Sequence, residues 1–432
     1  MSGSATTTPP PATLGPGDRV VVVGAGMAGH AAVERLRQDG FTGRVEIVGE
    51  EPHRPYNRTP LSKQLLTGDL TPADLALPTF TDLDATYHLG VAATALDTGT
   101  QVLTLADGRR LDYDGLILTP GVSARTLPDA PLHTSRVHTL RTMEDAVAVE
   151  KSLSGATDRV AVVGGGFIGC EVASTARHRG LDVTIVDLSP TLLLHGLGPE
   201  LGAVVADLHT AHGVRLHMGV GVATWETHEK GVRLRLTDGD VIDADMAVVG
   251  VGTDPHLGWL TGSGLQHDEH RAQGASAGIS ASATCHALDS DGRPLDMVVV
   301  AGDAARWPNL RFDTTPRRVE HWINAIEMGQ AAATNLLTGP DMATPFTPTP
   351  RFWSSQHGMK IQSVGMPGLG DTMSVIAGTL TSRRFLASYT RTTPHGPQLM
   401  GLIAFDHTQA LLEAAPLIGR TVTTGNQHQV PA

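Results

Sequence analysis

Two sets of three glycines, and the acids that follow them, are the residues whose types and spacing point most directly to chemistry. Gly24, Gly26 and Gly29 follow four valines in DRVVVVGAGMAG, and Gly164, Gly166 and Gly169 follow a second apolar run in DRVAVVGGGFIGCEVA. In such a trio the first glycine permits a tight turn, the second lets a backbone approach a pyrophosphate, and the third lets a helix lie close on a strand. The helix N-terminus then faces the phosphates. Met27 and Ala28 in the first copy, and Phe167 and Ile168 in the second, join the candidates for dinucleotide binding. Each copy is followed at the expected distance by an acid for ribose hydroxyls, Glu50 and Asp187. A carboxylate at Asp187 accepts from a ribose 2'-OH and repels a 2'-phosphate. The next residues, LSPTLLL, offer no arginine to hold that phosphate, so the expected nicotinamide coenzyme is NADH rather than NADPH. A glycine loop can simply turn a strand into a helix, but two complete copies in one chain argue against that reading.

Each copy needs a strand before it, a helix after it and a second strand ending at the acid. HAAVERLRQ and GRVEIVGEE supply these after the first trio, and DVTIVD closes the second. LDMVVVAGDAARW reads as another buried strand, stopping at Gly302 and Asp303. Strand ends of open parallel sheets are where ligands sit, so Asp303 is placed against a sugar-like chain; taken alone, it could equally cap the next helix. DGLILTPGVSART and MAVVGVGTDPHLGWL run into turns that carry Thr119, Gly121 and Gly252. They read as crossing points between two interleaved nucleotide-binding domains. In RPYNRTPLSKQLL, Lys63 follows two prolines in a turn entering a short helix. On its own it reads as a solvated helix-start residue. Drawn into a water-poor site, a lysine needs an anion close by.

At 432 residues the chain is long enough for two or three domains. With 44 acidic against 32 basic side chains its formal net charge is −12, which argues against nucleic acid and anionic membranes as partners. No apolar run approaches the length of a membrane span, and MSGSATTTPPPATLGPGD lacks the pattern of a signal peptide, so residues 1–17 read as a disordered leader and the location as cytoplasmic. Cys170 and Cys285 are far apart, which excludes a disulfide framework and an iron-sulfur cluster of the chain's own. The 20 histidines show no metal-ligand spacing beside a carboxylate cluster, so no metal is expected.

The segments VVVVGAGMAG, RPYNRTPLSKQLL, VVGGGFIGCEVA, DVTIVD, VVVAGDAARW, VEHWINAIEMGQAAA and FWSSQ, in this order, resemble the ferredoxin reductases of bacterial oxygenase and cytochrome P450 systems, the putidaredoxin and rubredoxin reductase type within the glutathione-reductase-like flavoproteins. The resemblance implies an α/β fold of two interleaved Rossmann-like domains and a C-terminal α+β domain. FAD would be held noncovalently by 18–124 and 251–340, NAD by 125–250, and 341–432 would cover the flavin. It places Lys63 beside the reactive edge of the isoalloxazine with Glu171 as its partner, and it adds Arg58, Thr119, Gly121, Glu320, Trp322 and Trp353 to the FAD site and Gly252 to the NAD site. The acceptor it implies is a small acidic iron-sulfur protein, a 2Fe-2S ferredoxin, with Arg317 and Arg318 as a docking patch. The chain departs from the family at TPG, where A-T-G is common, and at WSSQ, where W-S-D-Q is common; Ser355, His357 and Lys360 fall in this second stretch. A reductase of small molecules, similar to monodehydroascorbate reductases, and a slow FAD- and NAD-binding protein, similar to apoptosis-inducing factor, remain as alternatives. The motifs allow a monomer or a homodimer.

Overall fold

The computed structural model of the chain describes residues 14–77, 83–268 and 277–422. Most of the leader read at 1–17, and residues 423–432 of the C-terminal region, lie outside them. The chain divides into two compact units, each made of separated pieces. The first holds the residues up to Tyr56, then Leu77–Val122 and Pro255–Pro348; the second holds Asn57–Ala76, Ser123–Asp254 and the residues from Thr349 onward.

The first unit is built on a six-stranded sheet in the order His286–Leu288, Pro294–Val300, Gly115–Leu118, Arg19–Val23, Arg44–Gly49, Ala85–Leu89. Its pairings are parallel except at the His286–Leu288 edge. The valines of Arg19–Val23 are buried on both faces, as a central parallel strand requires. Helix Met27–Gln38 follows and packs on helix Trp322–Thr338, so closely that a Cβ on Gly329 would lie 2.3 Å from the Ala28 carbonyl oxygen. Only glycine permits that approach.

The second unit contains a five-stranded, wholly parallel sheet in the order Arg215–Met218, Asp182–Asp187, Arg159–Val163, Met246–Val249, Val137–His138. Helix Phe167–His178 leaves its central strand. Ser123–Ala124 and Thr253–Asp254, where the chain enters and leaves this part, pair antiparallel with each other, and Arg125 grips Asp254 with two hydrogen bonds of 2.6 and 2.8 Å. The same unit holds an antiparallel five-stranded sheet, Arg351–Gln356, Met359–Gly365, Gln398–Phe405, Arg384–Arg391, Thr372–Thr379. The α/β class with two parallel nucleotide-binding sheets and an α+β C-terminal part is therefore as expected. Segment 57–76, which falls within 18–124 in sequence, groups with the second unit, because its side chains and carbonyls bond to helix Phe167–His178 and its end: Thr175 donates to the Ser62 carbonyl and Arg179 to that of Leu66. Among the described residues no helix is long and apolar enough to cross a membrane.

Candidate functional site

The glycines of each trio separate by role. A Cβ on Gly24 would sit 1.9 Å from the Thr119 carbonyl oxygen, and one on Gly29 2.2 Å from that of Gly24. In the second copy the corresponding distances are 2.3 Å from Gly164 to the Gly250 oxygen and 2.0 Å from Gly169 to the Gly164 oxygen. First and third glycines are therefore needed by the protein's own packing. Gly26 and Gly166 are not: a Cβ on either meets nothing within 4 Å. Both sit as the residue immediately before a helix, where backbone N–H groups lack partners, so this open space suits a pyrophosphate. The residues present fit dinucleotides at both places.

Around the first trio, the Thr119 hydroxyl donates to the carbonyls of Val23 and Gly24, 3.0 and 3.1 Å, which braces the turn from behind. Gly121 and Gly302 both adopt positive φ, 70° and 77°, and Glu50 is exposed just beyond its strand. Asp303 follows Gly302 at the end of its strand and is half-buried. Close by in sequence, burial pushes the His321 imidazole down to about 4, with Asp303 opposing the shift, so the ring is neutral near pH 7. Trp322 begins the helix that packs on the fingerprint helix.

Around the second trio, the half-buried Asp187 carboxylate accepts the Gly165 N–H at 2.5 Å and the Ser189 N–H at 2.6 Å. Held by these two bonds, it keeps lone pairs for ribose hydroxyls. The following residue, Leu188, is 75% exposed and brings no cation. Gly252 has φ 102° and its carbonyl accepts the Arg125 N–H.

The structure brings Lys63 and Glu171 together. Lys63 lies between the helical turn Thr59–Ser62 and the short helix Gln64–Thr67, with φ −131° and ψ −96°. Its Nζ is 2.6 Å from Glu171 Oε2, and the Glu171 side chain is only 6% exposed. A carboxylate so far from water needs several partners. Ser62 Oγ donates to Oε2 at 2.5 Å and Ser354 Oγ to Oε1 at 2.6 Å. In sequence Ser62 reads only as a possible helix start, and Ser354, beside Trp353, carries no signal of this role. Trp353 is 37% exposed; its neighbour Phe352 packs edge-on against Phe167 of the second fingerprint. Arg58 is placed by a 3.0 Å bond to the Arg141 carbonyl.

The docking pair is corrected in part. The Arg318 side chain is 3% exposed, bonded to Glu320 at 2.7 Å and to the Asp303 carbonyl, so it is part of the interior and not a surface for a partner. Glu320 is engaged by that arginine. Arg317 keeps partial exposure but its charge is already met by Asp313, through bonds of 2.6 and 3.0 Å that hold the Asp313 carboxyl down to about 2. Arg311, on the same loop, is exposed. His217, Asp238 and Asp240 come within 4.8 Å of one another at the surface, a grouping not visible in the sequence; both carboxylates are exposed to water, which satisfies them without a metal.

Comparison with known proteins decides the family. The family model for pyridine nucleotide-disulphide oxidoreductases matches residues 18–329. The chain belongs to that family. It is 33% identical to rhodocoxin reductase of Rhodococcus erythropolis, over 85% of this chain and 82% of that protein. It is also 33% identical to putidaredoxin reductase of Pseudomonas putida, over 86% of each. The crystal structure of a covalent putidaredoxin reductase–putidaredoxin complex superposes with a TM-score of 0.82 at 29% identity, covering 93% of both chains. The resemblance read from the motifs holds. Cys170 and Cys285 are both buried and form no disulfide, and burial raises both thiols, Cys285 to about 12, which suits neither to disulphide chemistry.

Proposed function

We propose that the chain is an NADH-dependent, FAD-containing ferredoxin reductase, delivering electrons to a 2Fe-2S ferredoxin or similar small iron-sulfur protein that serves an oxygenase or cytochrome P450. The observation that carries this reading is the buried Lys63–Glu171 ion pair, built onto the helix of a complete second dinucleotide fingerprint. The dithiol that a disulfide reductase would need is absent, and a lysine held against a carboxylate is the kind of cation that a flavin site would use. Noncovalently bound FAD would supply the chemistry of taking up one hydride, two electrons with a proton, from NADH and releasing the electrons singly. Gly24, Gly26, Met27, Ala28 and Gly29 would hold its pyrophosphate, with Glu50 on its ribose and Asp303 on its ribityl chain. Gly164, Gly166, Phe167, Ile168 and Gly169 would hold NADH, and Asp187 would select it over NADPH. Lys63 would supply a positive charge where negative charge develops, and Glu171, 2.6 Å from its Nζ, fixes that charge in place.

We assign partner docking to the exposed Arg311, on the loop whose Arg317 is paired with Asp313, and its positive charge would steer an acidic ferredoxin; the rate should fall as salt rises, and Arg311→Glu should lower it further. The two unbonded cysteines suit a cytoplasmic enzyme. Anaerobic stopped-flow mixing tests the reading. NADH should bleach the bound flavin faster than NADPH, and Lys63→Met should keep FAD but slow that step roughly 10²–10³-fold. Steady-state turnover with ferredoxin, quinones and small radicals then identifies the acceptor. Turnover with the radicals alone would favour the small-molecule reductase, and failure of NADH to bleach the flavin would remove the assignment.

A further inference from the structure

The hydrogen bonds on Glu171 continue through the second unit beyond the ion pair. Ser354 Oγ, which faces Glu171 Oε1, itself receives the Gln356 Nε2 donor at 3.0 Å. The other end of that amide, Oε1, lies 3.0 Å from His209 Nε2, and His209 Nδ1 lies 3.1 Å from His357 Nε2. Ser354, Gln356 and His209 are 1%, 0% and 0% exposed, so water cannot substitute for any of these partners. His357 occupies the tip of the hairpin joining Arg351–Gln356 to Met359–Gly365, at φ 50°, a conformation that costs a non-glycine residue energy. Its ring stacks on the exposed His212 at 4.2 Å and its N–H donates to Ser174 Oγ at 2.7 Å.

The donor directions are dictated by chemistry, since a buried carboxylate only accepts. Ser354 must spend its single proton on Glu171, so its remaining partner must donate to it, which orients the Gln356 amide with nitrogen toward Ser354 and oxygen toward His209. His209 must then carry its proton on Nε2, leaving Nδ1 to accept from His357 Nε2–H. Burial pushes His209 down to about 4, and burial together with His209, His212 and Arg177 pushes His357 to about 3, so both rings stay neutral near pH 7, as this arrangement requires.

We propose that His209, Gln356 and Ser354 form a one-way chain of donors that presents the Glu171 carboxylate to Lys63, making His209 a positioning residue for the reacting pair. The chain acts by removing alternatives. Were the His209 proton on Nδ1, the amide would turn over, Ser354 would donate to Gln356 instead, and Glu171 Oε1 would face a lone pair. The inference rests on reading Lys63 and Glu171 as the pair that serves the flavin.

Two measurements test it on the FAD-loaded protein. In spectra of ring-15N-labelled histidine, His209 should be the neutral Nε2–H tautomer between pH 5.5 and 8; an Nδ1–H tautomer overturns the chain whatever the enzyme's activity. In stopped flow, His209→Leu should lower the limiting rate of flavin reduction by NADH roughly tenfold, the worth of one hydrogen bond to a charged group, with NADH binding unchanged. Its acid limb should move to higher pH, because a carboxylate that loses a donor holds its proton longer. Ser354→Ala should match it, the double variant should be no slower than either single, and His209→Gln, which keeps an N–H for Gln356, should restore most of the rate. Additive losses, an unmoved acid limb, or a His209→Leu protein as fast as wild type each overturn the proposal. If His209→Leu does not fold, Gln356→Leu takes its place. Should NADH fail to reduce even the wild-type flavin, the functional reading falls, and the tautomer measurement still decides the chain.

Discussion

The two fingerprints share their turn geometry. Gly24 N–H donates to the Val48 carbonyl at 2.7 Å and Gly164 N–H to that of Val186 at 2.8 Å, and the two glycines have φ 111° and 116°. Two of their differences bear on what each copy does. Strand register aligns Val48 with Val186, so Gly49 of the first copy stands where the second has Asp187, and Ala25 where the second has Gly165. The exchange is reciprocal: the bare Gly165 backbone admits the Asp187 carboxylate, whereas a Cβ on Gly49 would come within 2.7 Å of the Ala25 methyl. The first copy's acid is accordingly displaced one residue, to the exposed Glu50. At the fifth residue of the helix, counting Met27 and Phe167 as the first, the first copy has Ala31, 2% exposed, and the second has Glu171. The difference teaches that the phosphate cradle is a backbone property that can be repeated, while each copy's particular task is set by single side chains at fixed positions on the same frame.

The largest effects should come from breaking what the copies share. Gly24→Ala places a Cβ inside the Thr119 carbonyl at a φ that disfavours any side chain, and the first unit should lose more than about 4 kcal/mol, read as failure to unfold cooperatively in calorimetry. Gly26→Ala, in open space at φ −90°, should leave the thermal midpoint of FAD-free protein unchanged and reduce FAD retention on gel filtration. Next, transplanting the difference as Ala31→Glu buries a carboxylate with no lysine built to meet it and should cost about 3–5 kcal/mol in denaturant unfolding. Moving the ribose acid's properties is milder: Asp187→Ser should lower the NADH-over-NADPH preference in kcat/KM roughly 10- to 100-fold, the worth of hydrogen bonds to a charged group. A separate effect is on acid stability. His209 and His357 have folded values of about 4 and 3 against 6.5 for the free side chain, so their contribution is complete above pH 6.5 and is lost progressively as pH falls toward 3–4, where the unfolded chain binds protons that the folded one refuses. Thermal midpoints should fall between pH 7 and 5, and His209→Gln should flatten that slope.

What could be read in advance follows the range of the interactions. The glycine trios and Asp187 act within one strand–turn–helix–strand unit, so their spacing is visible in sequence. Lys63 and Glu171 are far apart, and only the resemblance paired them. Ser354, Gln356 and His209 could not be paired at all, because a buried carboxylate's needs are met by whichever hydroxyls and amides the fold delivers, and nothing in WSSQ or HTAH announces that. Arg318 was misjudged for a related reason: adjacent arginines on a loop look alike in sequence, yet their exposure is set by Glu320 and the Asp303 carbonyl, which take one of them inside.

The partners of Glu171 also order the protein's biosynthesis. Lys63 precedes it by 108 residues and Ser354 follows it by 183, and each comes from a different one of the three pieces of the second unit. At roughly 5–20 residues per second, a ribosome takes roughly 15–60 s to pass from the lysine to the second serine. Over the last 183 residues of that interval the nascent chain carries both the lysine and the carboxylate before their surroundings exist, so the reacting pair is enclosed late, and a chain stopped short of Ser354 cannot complete it.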